Sequence, residues 1–254
     1  VSTLSFTCNV CGTTVDDCPL ENIDREVPSC PTCASTVRMR SVVYLLSVGL
    51  FGKGLALPHF PDNRAIKGIG LSDWTGYARP LAEKLDYVNS FYHIEPRFDI
   101  TAPGENHQGQ YDFLISSDVF EHVPPPARRA FEGARHILKP GGVMVFTVPF
   151  SNEPQTVEHY PDLCDFQIIT FGDERVLVNR DRSGRYSLHT DLVFHGGDGS
   201  TLEMRIFCRH DLERLARDAG FSELKIMTED APEWGILHKH PWSLPMLART
   251  AVAA

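Results

Sequence analysis

The sequence predicts an α/β fold: a doubly wound, Rossmann-like, mostly parallel sheet preceded by a small metal-binding unit and carrying a late β-hairpin insertion. Three observations predict it. Tyr111 to Phe150 reads as buried strand, polar turn, amphipathic helix, Gly-Gly turn and second buried strand. Strand and helix patterns alternate on either side of it, which is the pattern of a parallel sheet covered on both faces. Four cysteines stand as Cys8-x2-Cys11 and Cys30-x2-Cys33 ahead of the first apolar run.

The two CxxC knuckles suit tetrahedral thiolate binding of a structural zinc, with Cys8, Cys11, Cys30 and Cys33 as ligands. Residues 1–37 are polar and Cys-rich, with too few large apolar side chains for a core of their own, so a metal would supply the missing stabilisation. This gives a zinc ribbon over 1–37 and an α/β domain over 38–254, with 151–201 as an insertion. The other cysteines, Cys18, Cys164 and Cys208, have no comparable spacing, and an odd, clustered set suits a reducing, cytoplasmic compartment.

Arg38 to Phe51 predicts a helix with Met39, Val42, Val43, Leu46 and Leu50 near one face. Leu55 to Phe60 is a weak strand candidate, and Ala65 to Leu71 a better one. Pro80 limits the next helix to about Arg79 to Leu85. Tyr87 to Tyr92 and Phe113 to Ser116 read as strands. Ala127 to Leu138 is a helix with apolar residues at i, i+3, i+4 and i+7 spacing, and Val143 to Val148 is a buried strand. Phe166 to Thr170 and Arg175 to Asn179 predict a hairpin adding an antiparallel edge. Leu202 to Phe207 is a strand, Asp211 to Ala219 a helix closed by Gly220, and Leu224 to Met227 the final strand.

The net charge of −9 argues against a broad nucleic-acid or anionic-membrane surface. The most apolar window, Val42 to Phe51, is too short to span a bilayer. No membrane partner and no targeting segment are expected. In a doubly wound sheet, ligands sit outside the carboxyl ends of the strands, at the switch in strand order. Polar residues at such ends are Asp99-Ile100, Ser116-Ser117-Asp118 followed by Glu121-His122, and Pro149-Phe150-Ser151.

The run YDFLISSDVFEHV…ILKPGGVMVFTVP resembles the fourth strand, fourth helix and fifth strand of class I S-adenosylmethionine-dependent methyltransferases. Asp99 lies where that family has its third-strand acid near the adenine. The resemblance covers roughly residues 52–228. It implies cofactor contacts from Gly70, Ser72, Asp73, Asp99, Ile100, Ser117, Asp118 and Val119. The glycine loop is degenerate, because no G-x-G-x-G follows a clear strand. Counting from Gly70 to Asp112 favours Gly70 as the end of the second strand, where the family carries a ribose-binding acid. The alternative makes Lys67-Gly68-Ile69-Gly70 the glycine loop itself.

Acid-base candidates are His122, with a near-neutral intrinsic pKa, Glu158 and His159 after the fifth strand, and His195 in the insertion. The resemblance implies methyl transfer, and an acidic chain with no extended basic surface points to a small-molecule acceptor such as one of specialised metabolism. The alternatives are an RNA or protein methyltransferase whose ribbon grips the substrate through Arg38, Arg40 and Lys53, or a non-catalytic binding module. Neither the acceptor nor the oligomeric state follows from these residues.

Overall fold

In a computed structural model, residues 2–195 and 201–252 are described. The chain opens with a hairpin of β1 (Thr3–Thr7) and β2 (Thr14–Pro19), followed by helix α1 (Val37–Phe51). Then come β3 (Asn63–Leu71), α2 (Thr75–Lys84), β4 (Leu85–Ser90), β5 (Tyr111–Ser117), α3 (Arg128–Ile137) and β6 (Leu138–Thr147). The later part holds β7 (Phe150–Ser151), β8 (Val157–Glu158), β9 (Asp165–Phe171), β10 (Glu174–Arg180), β11 (Tyr186–His189), β12 (Phe194–His195) and β13 (Thr201–Leu202). It ends with β14 (Arg205–Cys208), α4 (Arg209–Asp218), β15 (Phe221–Ile226) and β16 (Met246–Thr250).

The main sheet has the order β15-β16-β6-β5-β3-β4. Strands β4, β3, β5 and β6 run parallel, and β16 is antiparallel to both of its neighbours. The alternation of side chains sorts two cores. Phe113, Ile115, Val143, Val145 and Leu247 face the layer containing α1, α2 and the N-terminal hairpin. Leu114, Met144, Phe146, Met246 and Ala248 face α3 and α4. A period of two thus divides one apolar run between two covered faces.

Several expectations change here. β3 lies between β4 and β5, so the chain steps to β4 on one side and returns to β5 on the other. β3 is therefore the first strand of the doubly wound sheet and not the second, and the switch in strand order falls between β3 and β5. The counting from Gly70 to Asp112 misled because residues 91–110 add no regular strand, only a single parallel bridge of Phe91 with Arg97. Gly68 and Gly70 lie inside β3, and the loop that follows is Ser72-Asp73-Trp74.

Leu55 to Phe60 contains a single 3-10 turn at Leu57–His59 in place of a strand. The strand β16 was not expected, and β15 is not the last strand. The late hairpin does not extend the main sheet. It forms a separate three-stranded sheet, β11-β10-β9, over a small third core of Tyr160, Leu163, Leu177, Leu202 and Met204. Helix α1 is buried on most of its circumference, because the N-terminal hairpin packs on one side and the sheet on the other. Among the described residues no helix is long and apolar enough to cross a membrane.

Candidate active site and metal centre

The four paired cysteines converge. Their sulfurs all lie within 4.8 Å of one another. Cys8 and Cys33 are 3.6 Å apart, as are Cys11 and Cys30. A tetrahedral thiolate site with Zn–S of about 2.3 Å has S···S edges of about 3.8 Å. The donor set therefore fits zinc. Two tight turns shape the knuckles: Gly12 N–H donates to the Cys8 carbonyl, and Ala34 N–H to the Cys30 carbonyl. Arg40, fully buried, crosses the face of Phe6 and donates to Ser35 O, Ser29 Oγ and Gly235 O. It ties the cysteine unit to the C-terminal part of the chain and places a cation beside the thiols.

The polar ends of β3 and β5 are held by side chains from distant segments. Ser72, exposed and with φ of 57°, makes the sharp exit from β3. That left-handed backbone favours glycine, so a serine here carries a strain cost. The turn is clamped by Asn89, which accepts from Asp73 N–H and donates to the Asp73 carbonyl. Asp118 leaves β5 in the same left-handed conformation. Its N–H donates to Thr147 O, and Thr147 Oγ1 donates to Asp118 Oδ1 at 2.7 Å.

Two arginines from the N-terminal part reach this strand end. Arg25 forks onto both Asp118 oxygens at 2.7 and 2.9 Å, and its guanidinium also lies over the Trp242 ring. Arg38 donates to Ser117 Oγ at 2.8 Å, with Nε 3.4 Å from Asp118 Oδ2. Glu26 receives a two-pronged contact from Arg38. Burial alone would raise the Asp118 carboxyl, but Arg25 and Arg38 outweigh it and hold it below the usual range. A cavity of about 20 Å³ between Arg25, Arg38, Thr147 and Ser243 has room for about one water.

Asp73, expected at the ligand, instead turns inward. Its carboxylate accepts from Tyr77 Oη at 2.8 Å and from Tyr87 Oη. Burial pushes it up to about 7 against the two phenols, which lower it. Gly70 serves that cluster: a Cβ there would lie 1.9 Å from Tyr87 Oη. Gly68 likewise makes room for Phe113, which stacks on Tyr87. These glycines therefore pack side chains across the sheet. Asp99 accepts from Thr101 N–H and Oγ1, and Ile100 is a core residue against which α3 packs at Gly133. Val119 is half-buried beside the α3 and α4 core.

One turn beyond Asp118 stands a second polar group. Glu121 is fully buried, and neither carboxylate oxygen has a hydrogen-bond partner. Burial first, then the Asp118 charge, push its pKa well above the ordinary glutamate value. His122 Nδ1 is 2.9 Å from Leu202 O. A carbonyl only accepts, so Nδ1 donates to it, and Nε2 lies 3.8 Å from Glu121 Oε1. Fully buried Arg205 positions this turn, donating from Nη1 to Phe120 O and Val123 O and from Nε to Glu158 at 2.7 Å. Glu158 is thus the counter-ion of Arg205. His159 Nε2 lies 3.0 Å from Glu203. His195 stands in β12, paired with Thr201, while Gly196 and Gly197 lie outside the described residues.

Sequence reasoning brought Ser117, Asp118 and His122 to one place but missed their partners. Arg25 has no local signal, since its role depends on a fold-back of 93 residues. Glu203 and Arg205 did carry one: two charges inside an otherwise apolar strand pattern, which is rare unless they are paired.

Residues 52–225 match the family model of the methyltransferase domain, more than half of the 254 residues. The chain belongs to that family. It is a methyltransferase by this domain. Among solved structures it is similar to the CurJ carbon methyltransferase, with 13% identity, 85% of this chain and 56% of that one covered, and a TM-score of 0.50. It also resembles an S-adenosylmethionine-dependent methyltransferase from Clostridium acetobutylicum, at 12% identity, 85% and 93% coverage and a TM-score of 0.48. A third is the 1,6-didemethyltoxoflavin-N1-methyltransferase of Burkholderia thailandensis, at 14% identity, 84% and 78% coverage and a TM-score of 0.44. The likeness to the first of these shows the fold alone. No curated protein matches the chain.

Proposed function

We propose that this methyltransferase acts on a small-molecule acceptor, and that a structural zinc on Cys8, Cys11, Cys30 and Cys33 holds an N-terminal ribbon against its cofactor crevice. The observation that carries the reading is the junction at the ends of β3 and β5. There Ser117 and Asp118 meet Arg25 and Arg38, with Glu121 and His122 one turn away.

The strand ends offer both charges that the zwitterionic amino-acid end of S-adenosylmethionine would need, but Arg25 and Arg38 are already paired there with Asp118, Ser117 and Glu26, so the cofactor would have to take over those pairs. Ser72, Asp99, Ser117, Asp118 and Val119 would line it, with Gly70 and Asp73 supporting the turn from below. The cofactor supplies an electrophilic methyl group on a sulfonium. The chain's own task is alignment and custody of a proton. His122, next to the Glu121 carboxyl that burial drives toward the neutral acid, is the candidate acid-base group. Glu158 and His159, each bound to a charged partner, act as positioning groups.

A small acceptor is favoured over a nucleic acid because the N-terminal cations are turned inward. Arg40 is buried and Arg25 and Arg38 are spent on Asp118, Ser117 and Glu26. With a net charge of −9, little cationic surface is left for phosphates.

Calorimetry with S-adenosylhomocysteine tests the crevice. Saturable binding is expected, and no heat at millimolar ligand would sink the reading. Metal analysis of the purified protein tests the ribbon, with one zinc per chain expected. Thiols that titrate freely with no zinc present would refute that part separately.

A further inference from the structure

The sheet β11-β10-β9 has an inner and an outer face. Residues paired across strands share a face. Leu177 pairs with Ile168 and His189, and buried Leu177 belongs to the third core, so that side faces inward. The opposite side carries Glu174, Val176, Val178 and Arg180 along β10. Ile169 and Phe171 flank them on β9, and Leu188 and Tyr186 on β11. Four of these are well exposed: Ile169 by 37%, Phe171 by 64%, Leu188 by 68% and Tyr186 by 72%. Gln167, paired with Val178, and Asp165, paired with Arg180, lie on the same side, and the exposed apolar residues among them mark an interaction surface.

The geometry points to a second copy of this chain as the occupant: two such faces pack across a two-fold axis that lies between the sheets, perpendicular to the strands. The charge pattern selects this partner and this axis. Along β10 the outward residues read acid, valine, valine, base, from Glu174 to Arg180. Running antiparallel, two copies set Val176 against Val178, and Glu174 of each against Arg180 of the other. An axis along the strands would instead place Glu174 over Glu174, and like charges placed opposite one another are destabilising. Asp165, the cross-strand neighbour of Arg180, comes opposite the Phe171 end and meets no second acid. The contact is isologous, so every favourable pair occurs twice. Sheets packed in this way interdigitate at about 10 Å.

Sedimentation velocity on the full chain, from low to high micromolar concentration, should show a reversible dimer. Leu188→Arg should raise its dissociation constant tenfold or more while leaving the thermal midpoint and S-adenosylhomocysteine binding unchanged. Glu174→Arg alone and Arg180→Glu alone should each weaken the dimer. The double exchange Glu174→Arg with Arg180→Glu should restore it, because it re-forms the same pair with reversed polarity. A monomer at every concentration, a dimer indifferent to Leu188→Arg, or no recovery in the double exchange would each overturn the proposal.

Discussion

Asp118 and Glu121 follow the same strand, three residues apart, and are held in opposite states. Asp118 lies under two guanidiniums and a threonine hydroxyl, and stays ionised. Glu121 sits on the side of the insertion, fully buried, with no hydrogen bond to its carboxyl group and the Asp118 charge nearby, and is driven toward the neutral acid. One strand end thus holds a fixed anion beside Arg25 and Arg38 and, three residues on, a carboxyl driven toward neutrality on the side of Glu203. Pairs of acids whose surroundings split them in this way mark acid-base assignments. The split is made by neighbours, since both groups are carboxyls on one short turn.

Removing the cations is the most severe test of that contrast. Arg25→Ala with Arg38→Ala leaves Asp118 largely buried and uncompensated, which should cost about 3–5 kcal/mol. Adding Asp118→Asn should return much of it. Denaturant melts at neutral pH decide the matter, and a double variant as stable as the parent would mean that Asp118 is not held by charge.

The neutral side responds to Glu121→Gln. A carboxyl whose folded pKa is raised favours the fold most at low pH and loses that contribution as pH rises from the ordinary glutamate value toward the raised one. The Gln variant should therefore lose less stability than the parent across that rise. If the acid exchanges a proton with His122, kcat should also fall about tenfold or more, with an altered pH profile. A loss of stability without any change in the pH profile would make Glu121 purely structural.

Asp73 repeats the neutral case away from the crevice. Its pKa, pushed up to about 7 from 3.8, makes stability decline between those two values and level off above. Asp73→Asn should flatten melting temperature across this window. A parent protein already flat there would contradict the burial of the Tyr77–Asp73–Tyr87 cluster.

The smallest effect belongs to Asp211, an ionised acid outside both clusters. Although burial opposes it, Arg214 and Thr156 hold it below the usual range. Its contribution is present above the ordinary aspartate value and is lost as pH falls. Asp211→Asn should cost about 1–2 kcal/mol at neutral pH and progressively less in acid.

Much of this was legible in the chain. The run from Tyr111 to Phe150 located β5, α3 and β6, and the spacing of Cys8, Cys11, Cys30 and Cys33 located a four-thiol cluster. Both are local: a helical period, a strand run and a two-residue gap are properties of neighbours in sequence. The register of the first strands was not legible. Counting residues assumes that every connection adds a strand, and the segment from Phe91 to Gln110 does not. Nor was β16, whose antiparallel place between β15 and β6 depends on pairing with residues a hundred positions earlier.

The sequence by itself therefore determined which groups exist and which short elements carry them: the alternating α/β order, the paired thiols, and an acid at the end of β5. Only the tertiary structure decided their chemistry. It brought Arg25 and Arg38 to Asp118, turned Asp73 toward two tyrosines and buried the Glu121 carboxyl with no side-chain hydrogen-bond partner. The reason is electrostatic. A carboxyl's charge state depends on the dielectric and the charges within a few ångströms of it, and those come from segments that only the fold brings together.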